Sequence, residues 1–294
     1  MAQHALDAAV ADADAVICLL QHRIDDAFLA RAPHLGVVAN NAVGHDNVDV
    51  PAASARGVLV ANTPEVLTDA TADLAFALLL ATARRLGEGE ALLRQGRWHG
   101  FDPAELLGAE LSGRRLGLVG FGRIGRAVAA RARGFGLRIL YAAPHPAPAA
   151  VEAELGATRV ELPALLASSD FVSLHCALTP ATRGLIDAAA LARMRPHAIL
   201  INTARGAVVD EAALAAALHA GQLGGAGLDV FVDEPRVTPA LLTAPRTTLL
   251  PHIGSATVAA RTRMAELCVA AVAGWLEDRR PTNLVNPELW PPAT

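Results

Sequence analysis

The sequence contains no lysine: all 25 of its basic side chains are arginines. Covalent chemistry through a lysine Schiff base is therefore excluded. Cysteine is scarce as well. Cys18, Cys176 and Cys268 are widely spaced, odd in number and without a CxxC pair, which argues against a disulfide framework or a zinc site and for a reducing cytoplasm. Long hydrophobic runs are missing; the longest, Leu74 to Ala81, is far too short to span a bilayer. No large excess of either charge is present, since the net charge is -4 and no basic or acidic block stands out. Nucleic acid needs clustered positive charge and is an unsuitable partner. The N-terminal stretch MAQHALDAAVADADA carries acids where a secretion signal needs a basic patch and an apolar core, which again predicts a cytoplasmic protein without a membrane partner.

What is present is apolar material in short, ordered pieces. The chain has 294 residues, 53% of them hydrophobic, enough for two cores. Short apolar runs alternate with amphipathic segments, the pattern of βαβ units and a parallel sheet. Runs 15–20, 36–39 and 57–62 form a first set, and a long helix is expected over 65–86, opened by Thr63-Pro64-Glu65. Residues 87–113 read as a connecting loop with one short helix. A second series has strands expected at 115–120, 138–143, 171–176, 198–204, 225–230 and 248–253. A last helix is expected over 255–277, followed by an extended tail.

Gly120-Phe121-Gly122-Arg123-Ile124-Gly125 fits GxGxxG. The pattern alone is weak, but here it follows a clean strand and opens a helix, the context that a dinucleotide site requires. Gly120 would permit the tight turn, Gly122 the close approach of a pyrophosphate, and Gly125 close helix–strand packing. The helix N-terminus would supply N–H donors to the phosphates. About 20 residues on, an NAD site usually places an acid for the ribose 2′-hydroxyl. The matching segment, Tyr141 to Pro146, holds no acid and no arginine for a 2′-phosphate; His145 and Arg123 are the nearest candidates. Without a repelling carboxylate the balance leans to NADP(H) over NAD(H).

Three later segments carry polar residues at expected strand ends: Asn202 to Gly206, Asp229 to Pro235, and Pro251 to Ser255. In an open α/β sheet ligands bind outside the carboxyl ends of the strands. Reduction of a 2-keto acid needs a cation for the carboxylate, a proton donor for the carbonyl oxygen and a hydride source. Arginine offers a planar, permanently charged fork. Histidine titrates near neutrality, and an adjacent glutamate would orient it and favour its protonated form.

With these residues in place the chain resembles the D-isomer-specific 2-hydroxyacid dehydrogenase family, in particular its glyoxylate/hydroxypyruvate reductase-like members. The resemblance runs through segments 42–50, 62–84, 117–125, 173–186, 201–214, 225–235 and 250–257. It implies a Rossmann cofactor domain, 83–258, inserted in a flavodoxin-like substrate domain formed by 1–82 and 259–294, both α/β and doubly wound. It implies Arg205 as catalytic arginine, Glu234 as the glutamate supporting the histidine, and His252 as acid/base. Substrate contacts would come from Arg205 and from backbone N–H groups of the loop containing Val43 and Gly44. Cofactor contacts would fall on Gly120, Gly122, Arg123, Ile124, Gly125, Cys176, Thr179, Thr203, Ala204, Arg205, Asp229, His252 and Gly254. Cys176 reads as a small group beside the cofactor, not a nucleophile. Similar enzymes are homodimers built around the helix matching 65–86 and the loop after it.

Two rivals share this reading: a dehydrogenase of another small anion, such as formate or phosphite, and a nucleotide-sensing interaction protein. Two departures from the family stand out. Ala177 follows the His-Cys pair where many members have proline. Members also begin with a strand and helix ahead of the segment matching Ala13 to Leu20, so an upstream βα segment of roughly 30 to 40 residues is expected, with Met1 an internal start.

Overall fold

The computed structural model describes residues 3–290. The chain divides into two compact units, residues 1–67 with 255–294 and residues 68–254.

The larger unit is built on seven strands: β4 (Arg115–Val119), β5 (Arg138–Ala142), β6 (Ala157–Arg159), β7 (Phe171–Leu174), β8 (Ile199–Asn202), β9 (Gly225–Leu228) and β10 (Thr247–Leu249). The three strands of the smaller unit precede them: β1 (Ala15–Cys18), β2 (Val37–Asn40) and β3 (Leu59–Ala61). In the larger sheet the order is β10-β9-β8-β7-β4-β5-β6, parallel at every pairing. This is a doubly wound sheet, whose order reverses beside β4. Strands buried on both faces cannot alternate apolar and polar residues. Accordingly β7, β8 and β9 are buried at every position. Parallel neighbours need crossovers, so helices line both faces in two apolar clusters, one around Leu78, Leu79, Leu116 and Tyr141 and the other around Leu165, Leu174, Leu200 and Leu214.

Some boundaries differ from expectation. The helix expected from Glu65 begins at Thr68, because Glu65 takes φ +73° and Val66 N–H closes a turn on Pro64 O, 2.9 Å. It ends at Ala83, and Arg85, at φ +55°, starts a separate helix, Leu86–Arg94. The helix Thr68–Ala83, expected in the substrate domain as far as residue 82, packs in the larger unit. Its Leu78 and Leu79 are buried in that core and Thr82 Oγ1 meets Thr248 Oγ1 at 3.0 Å. The last helix starts at Val258, not 255, where the side chain of Thr257 accepts from Ala260 N–H at 3.1 Å. Strand β6 was not expected; it is three residues long, at the sheet edge, with two of them exposed.

In the smaller unit β1, β2 and β3 pair in parallel, in that order. The helix Val258–Leu276 lies against β1 and β2. Gly36 admits its tryptophan: a Cβ there would stand 2.0 Å from the Trp275 ring. The tail is sewn to β3, where Val285 N–H bonds Val60 O at 2.7 Å and Val60 N–H bonds Asn286 Oδ1 at 2.8 Å. Among the described residues no helix is long and apolar enough to cross a membrane.

Candidate active site

The turn after β4 is shaped by close approach. Gly120 has φ +90°, and a Cβ on it would lie 2.7 Å from His175 C and Cys176 N, at the neighbouring end of β7. A Cβ on Gly125 would come within 2.5 Å of Gly120 O, so the helix Arg123–Gly134 sits directly on the turn. At Gly122 a Cβ would meet nothing within 4 Å. Gly122 is also the N-cap of that helix and gives it no side-chain cap. The first-turn N–H groups are thus offered to something outside the helix, as a phosphate cradle requires. Arg123 is exposed at the start of the helix, and Ile124 packs against the core.

The ends of β7 and β8 complete this edge. His175 Nε2 meets Ser173 Oγ at 2.9 Å, and desolvation pushes the imidazole down to about 4. It is therefore neutral at physiological pH. Burial raises the thiol of Cys176, which makes it a poor nucleophile. Thr179 N–H bonds Thr182 Oγ1 at 2.8 Å and caps an exposed turn. Asn202, buried at the end of β8, shapes the next loop: it accepts from Ala204 N–H at 3.0 Å and donates to Arg205 O at 2.9 Å. Between them Thr203 Oγ1 is buried with no protein partner. A buried hydroxyl without a partner is costly unless a ligand satisfies it. The open Gly122 cradle, the uncapped helix and this hydroxyl together fit a dinucleotide.

The residues expected to react, Arg205, Glu234 and His252, lie beyond β8, β9 and β10. His252 Nδ1 meets Glu234 Oε2 at 2.7 Å, and the other carboxylate oxygen accepts from Phe231 N–H at 2.9 Å. Burial alone would raise Glu234, but the bonds from His252 and Phe231 and the nearby Arg205 charge outweigh it and hold the carboxyl below its ordinary value. It is an anion throughout the neutral range. His252 itself takes φ +52°, a left-handed conformation that a non-glycine residue adopts at a cost. Asp229, at the end of β9, holds the backbone there by accepting from Ile253 N–H at 2.7 Å and Gly254 N–H at 2.8 Å. Its own carboxyl is raised by burial, despite those two bonds.

Sequence reasoning passed over one residue in this cluster. Glu211, buried in the first turn of the helix Glu211–His219, accepts from Val232 N–H at 2.7 Å and from the Thr238 hydroxyl. It therefore clamps both sides of the loop that carries Glu234. An acid six residues after Arg205 was the available signal, but at a helix start it reads equally as capping. Gly206 packs directly against the same loop: a Cβ there would stand 2.0 Å from Phe231 C.

Val43 and Gly44 belong to the smaller unit, in the loop after β2. Val43 O accepts from Asn62 Nδ2 at 2.8 Å and Gly44 O from Asn40 Nδ2 at 2.9 Å, which fixes the loop by its carbonyls.

Residues 76–254 match the sequence profile of "D-isomer specific 2-hydroxyacid dehydrogenase, NAD binding domain". The chain is 49% identical to a glyoxylate reductase of Thermococcus litoralis over 95% of its own length and 86% of that protein's. Its fold matches a Thermus thermophilus protein with TM-score 0.90 and 47% identity, over 97% of this chain and 90% of that one. It also matches an NADPH-dependent glyoxylate/hydroxypyruvate reductase of Sinorhizobium meliloti, crystallised with NADP and malonate, with TM-score 0.88 and 38% identity, over 97% of this chain and 88% of that one. On the profile match, the identity over nearly the whole chain and the shared fold, the chain belongs to the D-isomer specific 2-hydroxyacid dehydrogenase family.

Proposed function

We propose that this protein reduces glyoxylate or hydroxypyruvate to the corresponding 2-hydroxy acid and takes NADP(H) in preference to NAD(H). The observation that carries the reading is the 2.7 Å contact of His252 Nδ1 with an ionised Glu234, which leaves Nε2 to exchange a proton. Arg205 holds the substrate carboxylate in its planar fork and draws charge toward the carbonyl oxygen. His252 gives that oxygen its proton as general acid and recovers one in the reverse direction. When bound, the nicotinamide supplies the hydride. Glu234 keeps the imidazole oriented and balances its charge when protonated. Asp229 and Glu211 hold the two backbone segments that bear the pair. The substrate named for the Thermococcus and Sinorhizobium relatives supports glyoxylate and hydroxypyruvate as the first compounds to try.

A nucleotide-sensing role would need the phosphate cradle but no proton donor, so the ordered Glu234–His252 pair speaks against it. The test is steady-state reduction of glyoxylate, hydroxypyruvate and pyruvate, and oxidation of formate and phosphite, each with both cofactors. The expected result is turnover of the first two with NADPH, giving D-glycerate from hydroxypyruvate. Activity confined to formate or phosphite, or L-glycerate as product, would contradict it.

We further propose a cytoplasmic homodimer. Its support is the segment 86–107, whose helix Leu86–Arg94 buries no residue and whose Leu86, Leu93, Trp98, Phe101 and Leu107 are exposed. The free state of Cys18, Cys176 and Cys268 suits a reducing compartment. Light scattering that returned the 30.4 kDa monomer mass, or fractionation outside the cytoplasm, would contradict these two statements.

A further inference from the structure

The preference for NADP(H) leaves a chemical gap: the segment after β5 has neither the acid that binds a ribose 2′-hydroxyl nor an arginine for a 2′-phosphate. The structure fills the gap from the adjacent strand. Arg159 ends β6 and pairs in register with Tyr141 of β5. Its exposed side chain runs forward along β5 and bonds the backbone just beyond it. Nε and Nη2 donate to Ala143 O at 3.3 and 3.0 Å, and Nη2 also reaches Pro144 O at 3.2 Å. A guanidinium has five N–H donors in one plane. Fixed by one edge to Ala143 and Pro144, it retains donors and a full positive charge at the end of β5.

The loop itself is too constrained to supply a different group. It reads Ala143-Pro144-His145-Pro146-Ala147-Pro148, with three prolines that lock φ and no carboxylate. It is also tied from beneath, because Ala147 N–H donates to the Tyr141 hydroxyl at 2.8 Å. That hydroxyl in turn donates to Glu152 Oε1 at 2.5 Å, so the nearby carboxylate is already engaged under the loop. At the end of β5 the charge offered outward is therefore positive, from Arg159.

We propose that Arg159 is the specificity-determining residue for the 2′-phosphate of NADP(H), reaching from β6 the place that sequence-adjacent arginines or acids occupy at the end of the second strand in other dinucleotide folds. The inference rests on the NADP(H) reading above. It explains that preference without a motif in the 142–146 segment.

The test is equilibrium binding of NADPH and NADH to the full protein by calorimetry, for the wild type, Arg159→Ala and Arg159→Lys. Wild type should bind NADPH more tightly than NADH. Arg159→Ala should weaken NADPH about tenfold, the usual effect of losing a hydrogen bond to a charged group, and leave NADH unchanged. Unchanged NADH binding also certifies that the variant is folded. Arg159→Lys keeps the charge and should retain part of the NADPH affinity, but not all of it, since an ammonium cannot copy the fork. If wild type prefers NADPH and Arg159→Ala prefers it equally, the residue is misassigned while the cofactor reading stands. If Arg159→Ala weakens both cofactors alike, the side chain only supports the loop and the inference fails. If wild type binds NADH at least as tightly as NADPH, both the reading and the inference fall.

Discussion

His252 is held through both its side chain and its backbone. Its Nδ1 faces the Glu234 carboxylate at 2.7 Å, and its backbone, at φ +52°, runs into two N–H groups that Asp229 accepts from. Glu234→Gln keeps the shape of that side chain but removes the charge that faces the ring, so kcat for the keto acid should fall by about tenfold or more while the cofactor's Kd holds, and an unchanged kcat would disconnect the two residues. Arg205 invites a different substitution. Its charge reaches Glu234, and its own side chain bonds Ala204 O through Nη1 at 2.8 Å. Arg205→Lys keeps the charge and loses the fork, so kcat/KM for the keto acid should fall by about tenfold or more. Recovery of most of it by lysine would show that bidentate recognition is the wrong picture.

Among the elements, the loop 231–238 is kept in place by groups that do not react. Glu211 accepts from Val232 and Thr238, while Gly206 lets Phe231 pass where no side chain fits. Gly206→Ala must displace either the Arg205 loop or the Glu234 loop, since its Cβ would fall 2.0 Å from a backbone carbon. Turnover should drop by about a hundredfold or more, as for misplacement of catalytic groups by an ångström, while the cofactor's Kd changes little. A variant with normal kcat would mean that the two loops are not coupled. The strands bearing these loops were readable because burial on both faces writes a continuous apolar run; FVSL, ILIN and the Gly-rich GAGL are such segments. Helix starts were less legible. Pro64 looked like a first-turn proline, but the left-handed Glu65 delays the helix to Thr68, and nothing in a glutamate announces positive φ. Short β6 escaped for a related reason, having too few residues to display a period. The reach of Arg159 from β6 to Ala143 escaped with it, because register is a property of paired strands.

For the molecule as a whole, the order of elements, the doubly wound sheet and the glycine turn followed from local patterns, but the packing of one element on another did not. The helix Thr68–Ala83 shows this: its sequence is apolar nearly all round, which fits either unit, and only its packing on the helix Arg123–Gly134 and on β8, β9 and β10 assigns it. A second long-range feature is Asp170, at the start of β7 and remote in sequence from its partners. It accepts from Arg195 Nη1 at 2.9 Å, meets His197 Nε2 at 2.8 Å, and accepts from Arg115 N–H at 2.8 Å, so it links β4, β7 and the approach to β8. Burial works against its charge, but these bonds outweigh it and lower the carboxyl. A carboxyl lowered on folding contributes stability above its unfolded pKa, and that contribution is lost as pH falls through the folded value. Asp170→Asn should accordingly cost on the order of 2 kcal/mol near neutrality, with the difference shrinking below about pH 4. Urea melts across that range decide it; a difference independent of pH would show that the charge is not what stabilises the sheet.

The account turns on His252 as the group that moves the proton, and the most direct measurement is single-turnover reduction of glyoxylate by His252→Ala, with cofactor Kd determined on the same preparation. The account predicts a loss of about a hundredfold or more in the rate of cofactor oxidation, the usual contribution of a general acid, with the Kd close to wild type. A variant that binds cofactor normally and reduces glyoxylate at a near wild-type rate would contradict it.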